Sequence, residues 1–89
     1  MADAAGSCQR FNNAAQKVYK GSRLPKVIAW ETNDVKVNLW TAEARLLLTN
    51  GDVEQKFPQK SADSKQEAKD LAASLGYQWL RKEFPGLVN

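Results

Sequence analysis

The dipeptide Asn50-Gly51 constrains the fold of this chain more than any other feature of its sequence. It stands in residues 49–52, between two runs in which apolar and polar residues alternate. An Asn-Gly pair in that setting is the strongest short-range signal of a β-hairpin, since both residues accept the positive φ angles of a tight turn. The sequence therefore predicts two antiparallel strands that meet at this turn.

The run before the turn, residues 37–49, fits two periodicities. Its alanine, glutamate, arginine and leucine content favours a helix, whereas its alternation favours a strand. A strand would place one apolar set on a single side: Trp40, Ala42, Ala44, Leu46 and Leu48. Because the hairpin signal follows directly, we expect a strand. Further strands are predicted at residues 26–33, which are rich in β-branched and aromatic side chains, and at residues 53–57, before a polar loop at 58–63.

Two helices are predicted to flank the strands. Residues 8–20 form the first, with apolar side chains at helical spacing at Phe11, Ala14, Ala15, Val18 and Tyr19. The second begins near Asp63 or Ser64, and Glu67 would complete a capping box with Ser64. Its predicted buried stripe consists of Ala68, Leu71, Ala72, Leu75 and Trp79. Within this helix, Gly76 is expected to allow the close approach of a strand.

The predicted order of elements is thus α-β-β-β-α. A three-stranded antiparallel sheet with two helices packed on one face is a two-layer α+β fold. The 89 residues suffice for one small domain. We expect a disordered N-terminal extension at residues 1–7, the domain at 8–83 and a C-terminal tail at 84–89.

The composition argues against most enzyme classes. The chain has no histidine and one cysteine, Cys8, so it can form neither a histidine-activated nucleophile nor a usual zinc site. A binding module without cofactor or metal is therefore expected. A single cysteine allows no internal disulfide, which favours an intracellular location. No apolar run approaches the roughly 20 residues that span a bilayer, so no membrane partner is expected.

The basic residues are clustered near the start of the second helix. The net charge is only +3, but Lys65 and Lys69 lie four residues apart and share a helix face. Lys60 precedes them, and Gln66 lies beside them. Positive charges near a helix N-terminus oppose the helix dipole, yet both would attract an anion such as a phosphate. The sequence therefore predicts a polyanion-binding surface here.

Residues 64–80, SKQEAKDLAASLGYQWL, resemble the C-terminal helix of double-stranded RNA-binding domains (dsRBDs), in which Lys-Lys-x-Ala-Lys precedes an alanine-rich stripe. Here the motif occupies residues 65–69, and Ala72 and Ala73 follow it. Residues 11–27, FNNAAQKVYKGSRLPKV, are similar to the family's Leu-Asn-x-x-x-Gln-Lys pattern, which a short loop, Leu-Pro and a strand follow. The resemblance covers residues 8–80 and includes the same order of elements.

The resemblance implies shape-dependent, sequence-independent binding of duplex RNA by a module of a larger RNA-processing protein, such as a helicase or nuclease. Lys65 and Lys69 would contact phosphates, assisted by Lys60 and Gln66. The amides of Gln9 and Asn13 would enter a minor groove. The family's Gly-Pro-x-His loop is missing between the first two strands, where Asn33 and Lys36 are the remaining substitutes.

Two other functions are compatible with the sequence. Some domains of this kind bind proteins or dimerise, and the candidate contact residues here are Trp30, Trp40, Trp79, Phe84 and Leu87. Core packing alone would account for Trp40 and Trp79. Binding of single-stranded nucleic acid would need exposed aromatic residues among basic ones, and Trp30 with Lys26 is the one candidate pair.

Overall fold

The computed structural model describes residues 6–33 and 38–88, which form two helices and four strands. The elements, in chain order, are α1 (Gly6–Tyr19), β1 (Arg23–Asn33), β2 (Asn38–Leu48), β3 (Val53–Lys56), β4 (Lys60–Ala62) and α2 (Lys65–Glu83). The α+β class and the flanking of the sheet by two helices are confirmed. A fourth strand is added to the three that the sequence predicts.

Strand β2 is the centre of the antiparallel sheet. It pairs with β1 over eleven positions, from Arg23 opposite Leu48 to Asn33 opposite Asn38. The strand interpretation of this alanine-rich and leucine-rich run is therefore confirmed. The turn after β2 places Gly51 at a φ of 98°, which glycine adopts without strain.

The other side of β2 is covered by two short strands. β3 pairs with the part of β2 near the turn, and β4 pairs with Trp40–Ala42 of the same strand. Between them, Phe57 still donates its N–H to the Ala44 carbonyl at 3.0 Å. Pro58 has no N–H to donate, so the ladder stops there and resumes at Lys60. The prediction of a loop over residues 58–63 was thus wrong for residues 60–62.

Both helices pack on the face of the sheet that carries Ala42, Ala44 and Leu46, and the core lies between them. Many of its buried residues are alanines, and the largest fully buried side chains are Phe11, Leu46 and Leu80. Aromatic edges fill the space between the layers. The ring centroid of Phe57 lies 6.0 Å from that of Phe11 and 5.5 Å from that of Trp79.

The helices α1 and α2 run in the same direction at close range. Gly6 lies beside Asp70, and Phe11 lies beside Gly76. A Cβ added at Gly76 would stand 2.5 Å from Cε1 of Phe11. Gly76 therefore allows the close approach of a helix, whereas the sequence predicted the approach of a strand.

The buried face of α2 is rotated relative to the predicted stripe. Its buried residues are Ala68, Ala72, Ala73, Gly76 and Leu80. Leu71, which was predicted to be buried, is 44% exposed. The rotation follows from the packing against α1, because Gly76 and not Leu75 faces Phe11.

The ends of the described chain pack on the domain. α1 begins at Gly6, so Gly6 and Ser7 belong to the helix; the rest of the predicted extension lies outside the described residues. After α2, Phe84 contacts the rings of Tyr19 and Trp79, and Val88 is buried. The tail thus covers one end of the core.

The three tryptophans differ in their surroundings. Trp40 and Trp79 pack against the core, as expected. Trp30 lies opposite Thr41 on the other face of the sheet and is 37% exposed. Within residues 6–33 and 38–88, no helix is both long enough and apolar enough to cross a bilayer.

Candidate nucleic-acid interface

The candidate interface is centred on the first two turns of α2. Ser64 is the N-cap: its backbone is extended, and its hydroxyl accepts the N–H of Glu67 at 3.1 Å. The sequence predicted either Asp63 or Ser64 as the cap, and the N-cap is Ser64. The helix proper begins at Lys65, so Lys65 and Lys69 lie where unpaired helix N–H groups leave positive potential.

Lys65 is exposed, and an aromatic ring supports its side chain. Its Nζ lies 5.6 Å from the ring centroid of Trp40, which β2 projects towards the helices. A cation over an indole face at this range gains about 0.5–1 kcal/mol at an exposed site. No carboxylate among the described residues forms an ion pair with Lys65. Its ammonium group therefore remains available to an external anion.

Lys69 is half-buried and borders a cavity of about 410 Å³ between α1, β1 and α2. The amide side chains of Gln9 and Asn12 line the same cavity, and residues 25–27 of β1 form part of its wall. The parallel packing of the helices produces this arrangement, because it brings the first turns of α1 and α2 together. The predicted residues Gln9 and Lys69 thus share one surface.

Two of the three acidic residues of the same segment face another way. Residues 60–70 carry three lysines (Lys60, Lys65, Lys69) and three acids (Asp63, Glu67, Asp70), so their charges sum to zero. Glu67 and Asp70, however, line a different groove of about 430 Å³ on the other side of α2. The positive character of the Lys69 surface therefore arises from the separation of charges around the helix.

Two side chains at the boundary between these surfaces interact with Asp70. Gln66 donates one hydrogen of its amide group to Oδ1 of Asp70 at 3.1 Å, which leaves its second hydrogen for another acceptor. The thiol of Cys8 lies nearby. Burial raises the pKa of Cys8 above its ordinary value, and a hydrogen bond to Asp70 raises it further, whereas the charge of Lys69 acts in the opposite direction. The thiol therefore stays protonated at neutral pH.

The remaining predicted residues occupy neighbouring positions. Lys60 begins β4, is exposed and pairs with Ala42, so strand alternation places it on the helix side of the sheet. Asn33 ends β1 opposite Asn38, and Asn38 lies two residues before Trp40 in β2. Because Trp40 contacts Lys65, the first residue of α2, Asn33 lies at the end of the sheet where α2 begins. Lys36 lies outside the described residues.

Asn13 is the predicted residue that is separated from the others. It is exposed on α1, one turn after Gln9, and borders a small cavity of about 130 Å³. Tyr77 and Val88 line that cavity, which lies towards the C-terminal tail. The structure thus brings together Lys69 and Gln9, and Lys65 lies one helical turn before Lys69, against Trp40. Gln66 lies in the groove of Glu67 and Asp70, and Asn13 lies apart from all of these residues.

Two contributors to this surface were missed from the sequence. Trp40 was assigned to the core without its contact to Lys65, and Asn12 was not connected with Lys69. Asn12 could have been found from the sequence, because it shares the exposed face of α1 with Gln9. The contact of Trp40 with Lys65 depends on how β2 lies under the helices, which no local pattern encodes.

Comparison of the chain with models of known protein families, with curated proteins and with solved structures finds no match. Among residues 6–33 and 38–88, no three histidine, cysteine, aspartate or glutamate side chains are grouped so that they could hold a metal ion. The functional interpretation therefore depends on the arrangement of Lys65, Lys69 and Gln9.

Proposed function

We propose that this domain binds double-stranded RNA by shape and phosphate contacts, without reading base sequence, as a module of a larger RNA-processing protein such as a helicase or nuclease. One observation carries the proposal: α2 carries Lys65 and Lys69 in its first two turns, and α1 presents Gln9 beside Lys69. A surface of this kind combines cations with neutral groups that both donate and accept hydrogen bonds.

The lysines would bind the phosphate backbone. The N–H groups at the start of α2 and its dipole favour an anion at the same end of the helix. Lys65, held against Trp40, and Lys69, at the rim of the cavity, would contact phosphates across the major groove. Lys60 and the second amide hydrogen of Gln66 would add weaker contacts at the edge of this surface.

The amides of α1 would distinguish RNA from DNA. A-form RNA presents 2′-hydroxyl groups in a wide, shallow minor groove, and shape-specific domains contact those groups. Gln9 is exposed and carries one acceptor and two donors, so it suits a hydroxyl in either role. Asn13, one turn away, would contact the outer part of the same groove. We expect duplex DNA of the same sequence to bind more weakly than duplex RNA.

The test is a titration of duplex RNA with the wild-type protein and with the variant Lys65→Ala/Lys69→Ala. Loss of two solvent-exposed phosphate contacts, each worth about 0.5–1.5 kcal/mol, should weaken binding roughly tenfold to a hundredfold. The slope of log affinity against log salt should fall by about two, since each lysine releases about one counterion.

The matched control is Arg81→Ala/Lys82→Ala. It removes the same charge from exposed positions of the same helix, about 24 Å further along its axis. This variant should keep the affinity and the salt slope of the wild type. If both double variants bind duplex RNA as the wild type does, the assignment is refuted. Equal losses in both would indicate non-specific attraction by net charge.

A further inference from the structure

The face of the sheet that points away from the helices carries two ordered rows of side chains. The pairing registers place Leu24 opposite Leu47 and Leu47 opposite Val53. One alternation further along the strands, Lys26 lies opposite Arg45, which lies opposite Lys56. We call these the apolar row (Leu24, Leu47, Val53) and the cationic row (Lys26, Arg45, Lys56).

The apolar row is open to solvent. Leu24 is 41% exposed and Val53 is 38% exposed, and Leu47 between them is half-buried. Isolated exposed apolar residues are common on protein surfaces. Three that lie directly opposite one another across three strands form a continuous strip, which is less usual on a monomer.

The cationic row opposes the stability of the sheet. Like charges directly opposite one another on neighbouring strands are destabilising. Glu43 neutralises one of them, because its Oε1 accepts from Nη2 of Arg45 at 2.8 Å and the carboxylate is buried. Within the part of the chain that the structure describes, Lys26 and Lys56 have no acidic partner. The row therefore keeps a charge of about +2.

The nearest other acid does not compensate Lys56. Glu54 lies in the irregular step between β2 and β3, where the register shifts. Its carboxylate accepts a hydrogen bond from Nε of Arg23, whose guanidinium lies over the ring of Tyr19. That contact engages Glu54 away from the cationic row, so the row keeps its charge.

These features limit what can cover the face. A second copy of the chain would bring one cationic row near the other, which electrostatic complementarity disfavours. Single-stranded nucleic acid needs aromatic rings among the cations, on which bases stack. Trp30, an exposed aromatic residue of this face, lies four residues from Lys26 along β1, and the pair of Ile28 with the acidic Glu43 lies between them. The cationic row is complementary to carboxylates, and the apolar row is complementary to an apolar side chain next to them.

We propose that this face binds an acidic amphipathic segment of another protein. The two rows lie two residues apart along the strands, roughly 7 Å. On a helix, side chains three or four residues apart are roughly 5–6 Å from each other. A helical segment aligned with the strands would thus place a leucine on the apolar row and a glutamate, one turn away, between Lys26 and Lys56.

The test uses two synthetic helical peptides of about 15 residues. One carries leucines with glutamates one turn away, and its twin has lysine in place of every glutamate. Each is titrated into the isotope-labelled domain at near-physiological salt, and amide chemical shifts are followed. The glutamate peptide should bind saturably, with shifts on β1, β2 and β3 at both rows. The lysine peptide should bind at least about tenfold more weakly.

The variant Lys56→Glu should lower the affinity for the glutamate peptide about tenfold and raise that for the lysine peptide. Lys82→Glu, the same charge change on α2, should leave the ratio unchanged. The proposal fails if neither peptide binds, if both bind equally or if the shifts lie elsewhere. It also fails if duplex RNA or vesicles of phosphatidylglycerol, and not the peptide, perturb this face. Lys56→Glu should retain RNA binding through α2, so the two proposals can fail independently.

Discussion

The lysine surface at the start of α2 and the outer face of the sheet lie on opposite sides of one sheet, and their charges are arranged differently. On the helix side, α2 directs Lys69 to one groove and the acids Glu67 and Asp70 to another. On the outer face, Lys26, Arg45 and Lys56 lie directly opposite one another. On the helix side, unlike charges are kept apart because they lie on different faces of α2. On the outer face, the buried carboxylate of Glu43 reduces the repulsion between like charges. Neither arrangement is the one that stability alone favours.

Strand β2 contributes to both surfaces through its alternation. Trp40 points to the helix side and supports Lys65, whereas Arg45 points outward and pairs with Glu43. A sheet of this kind can therefore carry two independent sites back to back. Substitutions on one side should change one property of the molecule and leave the other unchanged.

Among single substitutions that test the difference between the two faces, Glu43→Ala should lower the free energy of unfolding the most. It would leave Arg45 half-buried between two lysines without its partner. Breaking a buried ion pair costs about 3–5 kcal/mol, and the partial exposure of Arg45 reduces this to about 2–3 kcal/mol of unfolding free energy. Urea unfolding at low and high salt measures the effect. High salt should restore part of the loss, because it screens the three cations.

Asp70→Asn is the matched change on the helix side. Asp70 is half-buried and accepts a hydrogen bond from Gln66, and its loss should cost less than about 1 kcal/mol. If Glu43→Ala and Asp70→Asn destabilise the protein equally, the outer carboxylate does not compensate the cationic row. The two faces would then not differ in how much their carboxylates contribute to stability.

A smaller effect is expected for Gly76→Ala, which acts on the helix side alone. The added Cβ would overlap the ring of Phe11, and Phe11 is buried and cannot swing away. Overpacking of this kind costs about 1–3 kcal/mol, which the helix propensity of alanine offsets by up to about 1 kcal/mol. The net result should be a loss of stability in thermal unfolding, together with weaker RNA binding, because α1 would move Gln9 away from Lys69.

The control for this variant is Gly86→Ala. A Cβ at Gly86 meets no atom within 4 Å, so its stability and RNA affinity should be unchanged. A Gly76→Ala variant that is as stable as the wild type would show that the two helices can separate without loss. Peptide binding at the outer face should be the same in both variants.

Much of the architecture could be predicted because local patterns point the same way as the tertiary structure. The Asn50-Gly51 turn and the alternation of β2 overrode the helix propensity of its alanines and leucines. The capping side chain of Ser64 located the start of α2 to within a residue. What could not be predicted depends on packing between elements: Leu71 is exposed because Gly76, not Leu75, faces Phe11.

The candidate site shows the same division. Helix periodicity places Lys65 and Lys69 on one side of α2 and Gln9 on the exposed side of α1, so these positions could be predicted. That Lys69 is half-buried beside Gln9 depends on the parallel packing of α1 and α2, and the contact of Lys65 with Trp40 depends on the register of β2. The rows of the outer face were not predicted at all, because they require the pairing of three strands residue by residue.

The smallest expected effect concerns pH and again distinguishes the two sides. The pKa of Cys8 is raised above its ordinary value in the folded protein, chiefly because the thiol is buried and then because Asp70 is close. The unfolded chain ionises this thiol at its ordinary pKa, so between the two values the folded state binds more protons. Cys8 therefore contributes its full stability below the ordinary pKa, and that contribution declines as pH rises towards the raised value.

Urea unfolding between about pH 7 and pH 10 measures this decline. Burial also raises the pKa of Tyr19, which adds a decline of its own at high pH. The contribution of Cys8 is therefore measured as the difference in unfolding free energy between the wild type and Cys8→Ser. Asp70→Asn should reduce that difference, because it removes the second cause of the raised pKa. Glu43→Gln, on the outer face, should leave the difference as it is. Should Glu43→Gln reduce it as much as Asp70→Asn does, the two faces would be electrostatically coupled through the sheet and could not act as separate sites.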